Sequence, residues 1–277
     1  MKQARMAFPA SILLFTLSIP AAASPQTVEE ARYMMAPGVA QVPSPQDPVI
    51  VVRPEITDEQ MGDLYMIRKQ FREAAGMFKK LSDQDPRNPV YLNKLGIALH
   101  QQEALGLALK YYERAVKVDP RYADAENNVG TIWYQRKKFE KAIKAYRKAL
   151  TMRDDMAVLY SNLGYAYFGD KKYEEAILSF RQALVLDPML FEHNGSRSGS
   201  ILQDRSVEDR GRFYFMLAKS YAQAGDLDRC IHYLRKAKDE GYKNFTDIKK
   251  DPAFGAALKD PAVQELLVPK PVDSAQL

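Results

Sequence analysis

Residues 91–99 read YLNKLGIAL, residues 125–133 read AENNVGTIW and residues 159–167 read LYSNLGYAY. A second phrase follows each of them: ALKYYERAVKVDP at 108–120, AIKAYRKALTMRD at 142–154 and AILSFRQALVLDP at 176–188. Leu95, Val129 and Leu163 are 34 residues apart, as are Gly96, Gly130 and Gly164, then Ala108, Ala142 and Ala176, then Tyr112, Tyr146 and Phe180. A fixed period of this length implies stacked supersecondary units rather than one closed core. In each unit both phrases carry apolar residues at three- and four-residue spacing, which predicts two helices with one buried face each. Gly and Ala fall where a large side chain would hold paired helices apart, and the aromatic at the centre of the second helix fills the space beside them. Asp119-Pro120 and Asp187-Pro188 end the second helix, because Pro lacks the amide donor and disfavours helical geometry in the residue before it.

The order Leu163-Gly164-x2-Tyr167, Ala176-x3-Phe180, Pro188 resembles the tetratricopeptide pattern L-G-x2-Y, A-x3-F, P, on the same 34-residue period. The chain is accordingly identified as a member of the tetratricopeptide repeat (TPR) family. The resemblance implies an all-α, right-handed superhelical solenoid of about five TPR helix hairpins with a short helical C-terminal cap.

Working outward, Met61, Gly62, Tyr65, Ala74, Phe78, Leu81 and Pro86 each lie 34 residues before a counterpart, so a first repeat begins near Glu55. Repeats 1 to 4 therefore span 55–190. Past Leu190 the phase breaks: Leu217, Ala218, Tyr221, Cys230, Leu234 and Ala237 match Leu163 to Ala183 at a displacement of 54 residues. That leaves an insertion over 191–210, of Gly/Ser-rich loop composition, and a fifth repeat over 211–244. Asp251-Pro252 and Asp260-Pro261 each read as a helix start, which predicts two short capping helices, with a tail, in 245–277.

The N-terminal text differs. Lys2 and Arg5 precede a mostly apolar run and Ala21-Ala22-Ala23, the pattern of a secretory signal peptide over 1–23. The run is too short and too broken by Pro9 to span a bilayer. The expectation is export to a periplasmic or secreted location, followed by a Pro-rich linker over 24–54. One cysteine, Cys230, excludes an intramolecular disulfide. It stands where other repeats have Ala, a small site at a helix crossing, which predicts a buried and inert thiol.

The formal charge of +5 is mild and both signs interleave, so no nucleic-acid surface is expected. Arg136-Lys137-Lys138 falls where the turn between two helices belongs. His100, His193 and His232 have no Cys, Asp or Glu at metal-ligand spacing, no P-loop lysine follows the glycines of the insertion, and no cofactor, metal or catalytic residue is assigned. In TPR proteins the first helices line a concave groove. By register the resemblance places Asn93, Ile97 and His100, then Asn127, Thr131 and Tyr134, then Ser161, Tyr165 and Phe168, with Phe215 and Lys219 from the fifth repeat, along that wall. Amides beside stiff aromatics suit a peptide segment or helix. Asp124, Asn127, Asn128 and Ser161 stand where some relatives carry paired basic residues for a C-terminal carboxylate. Asn128 and Asn162 have a second reading, as residues that satisfy backbone groups, and Tyr165 and Phe168 have one as packing against the insertion. The expected function is a non-enzymatic scaffold or assembly factor holding a protein partner. The alternative is an enzyme, or enzyme subunit, using the 191–210 insertion and His193. Partner identity and oligomeric state are left open.

Overall fold

The first two hairpins begin where a side chain can satisfy the free amides of a helix start. The computed structural model describes residues 56–193 and 207–268. The segments read as export signal, linker, centre of the insertion and tail lie outside them. Thr57 and Gln60 cap α1 (Asp58–Ile67) reciprocally, the Thr57 hydroxyl accepting from the Gln60 amide and the Gln60 side chain from the Thr57 amide. Asn88 caps α3 (Pro89–Gln101) by accepting from the amides of Val90 and Tyr91, and Pro89 at the first position loses no bond there. The remaining paired helices are α2 (Phe71–Gln84), α4 (Leu105–Val118), α5 (Ala123–Gln135), α6 (Phe139–Met152), α7 (Ala157–Gly169) and α8 (Tyr173–Leu186). After a short α9 (Leu190–His193) come α10 (Val207–Ala224) and α11 (Leu227–Asp239).

The turn inside each hairpin repeats as faithfully as the helices. Lys69, Glu103, Lys137 and Lys171 all adopt positive φ, between 56° and 62°, and Gly225 does so at 82° in the fifth hairpin. The residue after each left-handed position bonds back across the turn, as Gln70 N–H does to Tyr65 O and Lys138 N–H to Trp133 O. Arg136-Lys137-Lys138 is thus the turn it was expected to be. Only the fifth hairpin uses the residue that adopts this geometry without steric cost.

The glycines of the period are where the two helices of a hairpin touch. A Cβ on Gly62, Gly96, Gly130 or Gly164 would come within 2.5–2.6 Å of the ring of Phe78, Tyr112, Tyr146 or Phe180. Each ring is buried, so the alternation of small and bulky positions fixes the closest approach within the hairpin. Successive hairpins then stack: each first helix packs on its own second helix and on the second helix before it. The result is an all-α stack of helix pairs, as the period predicts. The hydrophobic core runs through it as a chain of clusters, the largest joining α7 and α8 to α10, α11 and the C-terminal cap.

At the phase break α10 starts at Val207, ahead of the expected Gly211, and runs for 18 residues where α3, α5 and α7 have 13. The cap is built as three short 3-10 turns, Phe245–Lys249, Pro252–Phe254 and Ala257–Lys259, followed by α12 (Pro261–Leu267). Asp251 and Asp260 cap the segments that Pro252 and Pro261 open, each accepting a backbone amide on its carboxylate.

Candidate functional site

The groove positions lie on the first helix of each hairpin, and neighbouring hairpins treat them differently. In α3 and α5, Ile97, His100, Asn127, Thr131 and Tyr134 are half-buried and form one register across adjacent helices. Asn93 and Ser161 are buried. Tyr165 and Phe168 of α7 are buried as well, 6% and 2% exposed, because Phe213 of α10 stacks on Tyr165 at 5.6 Å and meets Phe168 edge-on at 5.5 Å. What covers them is therefore the fifth hairpin itself as well as Phe191 of α9. Phe215 is closed over by the cap, with Tyr242 at 4.7 Å and Phe254 at 5.3 Å. A side chain held in this way presents no area to a partner, so the wall proposed from register narrows to α3 and α5.

Polar groups on the wall are tied to one another at a constant displacement. Asn128 donates to the Asn93 side-chain oxygen at 2.9 Å, Asn162 donates to Asn127 at 2.8 Å, and His100 Nε2 meets Gln135 Oε1 at 2.9 Å. Lys94 reaches Glu59 at 2.7 Å, and each of these pairs is 35 residues apart, one period plus one position. Asn128 and Asn162 therefore join side chains of adjacent first helices rather than satisfying backbone groups. This is a missed signal that the period itself contained: a polar residue one position beyond the repeat of another polar residue. Asn93 also donates to the Tyr122 hydroxyl.

The charge on the wall sits at its two ends and is paired there. Lys94 binds Glu59 and Asp63 on α1 at 2.7 Å; burial alone would lower its pKa, but the hydrogen bonds and charges of the two carboxylates raise it overall. Lys219 is held by Asp251 at 3.0 Å and Glu174 at 3.5 Å; burial again opposes the charge, and Asp251 with Glu174 outweighs it. The half-buried groove positions Ile97, His100, Asn127, Thr131 and Tyr134 are uncharged side chains and one histidine, with Asp124 in the first turn of α5.

Among the described residues no group of three His, Cys, Asp or Glu side chains is placed to hold a metal ion. His232 lies exposed on α11, and the side chain of His193 is outside the described set. Cys230 is fully buried, and burial pushes its thiol up to about 12. At pH 8 the folded protein is expected to leave Cys230 unlabelled by iodoacetamide for as long as it stays folded, and to take up one equivalent in denaturant; fast labelling of the native protein contradicts this packing.

Three family models, each described as tetratricopeptide repeat, match residues 60–117 and 105–157, residues 157–190, and residues 211–239. Together they span more than half of the chain. No curated protein matches it. Among solved structures, that of MamA shares 22% identity over 65% of this chain and 94% of its own, with a TM-score of 0.47. TTC0263, a thermophilic TPR protein of Thermus thermophilus, shares 18% over 73% of this chain and 98% of its own, with a TM-score of 0.46. The first TPR of Spaghetti (RPAP3), bound to the HSP90 peptide SRMEEVD, shares 23% over 39% of this chain and 86% of its own, with a TM-score of 0.38. At these values the likeness is one of fold alone. The reading of residues 1–23 as an export signal, and the secreted or periplasmic location with it, is withdrawn: those residues lie outside the described ones, and the family match within 60–239 carries no location. Apolar composition flanked by lysine and arginine describes a stretch of sequence, and by itself it does not establish where the chain resides.

Proposed function

Because this chain belongs to the tetratricopeptide repeat family, we propose that it holds a segment of a partner polypeptide along α3 and α5, as a scaffold without chemistry of its own. The observation that carries the reading is the continuous register of Ile97, His100, Asn127, Thr131 and Tyr134, half-buried where Ser161, Tyr165 and Phe168 of the fourth hairpin and Phe215 of the fifth are buried. Half-buried residues on a rigid double helix layer provide contact area at small entropic cost. The uncharged character of this stretch favours a segment of apolar and hydrogen-bonding residues over one recognised by its charge. A paired basic clamp for a C-terminal carboxylate is absent from it: Asp124, Asn127, Asn128 and Ser161 occupy that neighbourhood, and Asn127 and Asn128 are bonded to neighbouring first helices.

Panning the full chain against a display library of random peptides tests this directly. A recurrent sequence is expected, bound with at least tenfold lower affinity by Thr131→Arg and Ile97→Arg and unchanged by Lys144→Glu on the outward side of α6. Failure to enrich any sequence, or equal binding by Thr131→Arg, overturns the assignment.

A further inference from the structure

A second site lies apart from that wall and does not depend on it. Between the end of α8 and the turn joining α10 to α11 there is an open cleft of about 640 Å³. Leu184, Val185, Pro188 and Leu227 form the aliphatic part of its wall, and Asp226 and Asp228 a polar part. Val185 is 64% exposed and Leu227 36%, with Leu186 and Met189 also exposed beside them, so unpartnered apolar surface gathers at this junction.

Tyr221 lines the same cleft. It is 1% exposed, and among the described residues its hydroxyl is the one buried side-chain oxygen or nitrogen without a hydrogen-bond partner. Its ring is stacked on Tyr233 at 5.3 Å and 8°, which holds the phenol in place. A buried polar group left unpaired is costly and rare, and therefore marks a place where a partner is missing.

The rim carries an excess of negative charge. Asp226 accepts from the Arg229 amide and pairs with its guanidinium, and Glu192 approaches the same arginine at 3.8 Å. Asp228 has no ion-pair partner among the described residues, and the Asp187 carboxylate accepts the Met189 amide. Of these carboxylates Asp226 and Asp228 line the cleft itself, and only Asp226 is held by the guanidinium.

We propose that the cleft takes the side chain of a lysine from a partner polypeptide. The aliphatic stem packs against Leu184, Val185 and Leu227, and the ammonium donates to the Tyr221 hydroxyl oxygen and to the Asp228 carboxylate. The carboxylates of Asp226 and Asp228 repel an anionic ligand, and a purely apolar one leaves Tyr221 unpaired.

The test is an amide-NMR titration of the full chain with N-acetyl-lysine methylamide, beside its norleucine and glutamate analogues and cadaverine, read at Gly225 to Asp228. The lysine probe is expected to give saturable shifts and the two analogues none. Tyr221→Phe should weaken the lysine probe about fivefold to tenfold, the loss of one hydrogen bond to a charged group, while the Tm stays equal or rises because the orphaned hydroxyl is gone. Asp228→Asn should weaken the probe similarly. No saturable response, an equal response to the norleucine analogue, or full affinity in Tyr221→Phe overturns the site. Saturation by cadaverine but not by the capped lysine overturns the polypeptide source in favour of a free diamine.

Discussion

Phe213→Ala is expected to cost about 3–5 kcal/mol, the range for truncating a fully buried aromatic, and to detach the fifth hairpin from the stack before the rest unfolds. Phe213 is 0% exposed and its ring meets Tyr165, Phe168 and Phe180 at 5.5 to 5.8 Å, so it joins α10 to both helices of the fourth hairpin. In a stacked-repeat protein stability is close to a sum of unit terms and interface terms, and deleting one interface uncouples the units on either side. Hydrogen exchange should show amides of 207–268 losing protection while those of α3 to α6 keep theirs. The exposed rings of Tyr165 and Phe168 should also bind an apolar dye. A variant that melts in one transition with unchanged protection in α10 and α11 would show that another contact fastens this junction.

Gly130→Val carries the second large effect. The first added carbon already falls 2.6 Å from Tyr146, whose ring is 2% exposed and enclosed, and valine adds two more on a stiff branch. Overpacking of this kind costs about 1–3 kcal/mol per site, and the β-branch adds to it. The cause can be separated from a general intolerance of substitution in helices. Gly76 in α2 is exposed and a Cβ added there would meet nothing within 4 Å, so Gly76→Ala should stabilise by about 0.5–1 kcal/mol. Combining Gly130→Ala with Tyr146→Leu should destabilise by less than the sum of the single changes, since the smaller side chain removes the clash. Equal denaturation midpoints for Gly130→Val and the unchanged protein would contradict the proposed packing rule.

That rule was legible in the sequence because it is local and periodic. A glycine and an aromatic 16 residues further on, as in Gly96 and Tyr112, recur in each of four hairpins and meet as their spacing implies. The Asp-Pro starts of the cap were legible for the same reason, each being a self-contained chemical signal. Accessibility along the wall was not. Register places Tyr165 on the same face as Ile97 and Thr131, yet its exposure is decided by Phe213, which comes from beyond the insertion and is out of phase with the 34-residue count. The side-chain pairs at 35 residues escaped because the residue types differ from pair to pair: Lys with Glu, Asn with Asn, His with Gln. The left-handed turns escaped because lysine and glutamate stand where glycine would have announced them.

The central claim is that α3 and α5 offer the face on which a partner is held. The most direct measurement is site-specific photocrosslinking of the full chain with its selected peptide, placing a benzoylphenylalanine at Thr131 on the wall or at Arg147 on the outward side of α6. Adducts from position 131, competed away by unlabelled peptide, and none from position 147 are the predicted result. Equal yields from both positions, or adducts from position 147 alone, would contradict it.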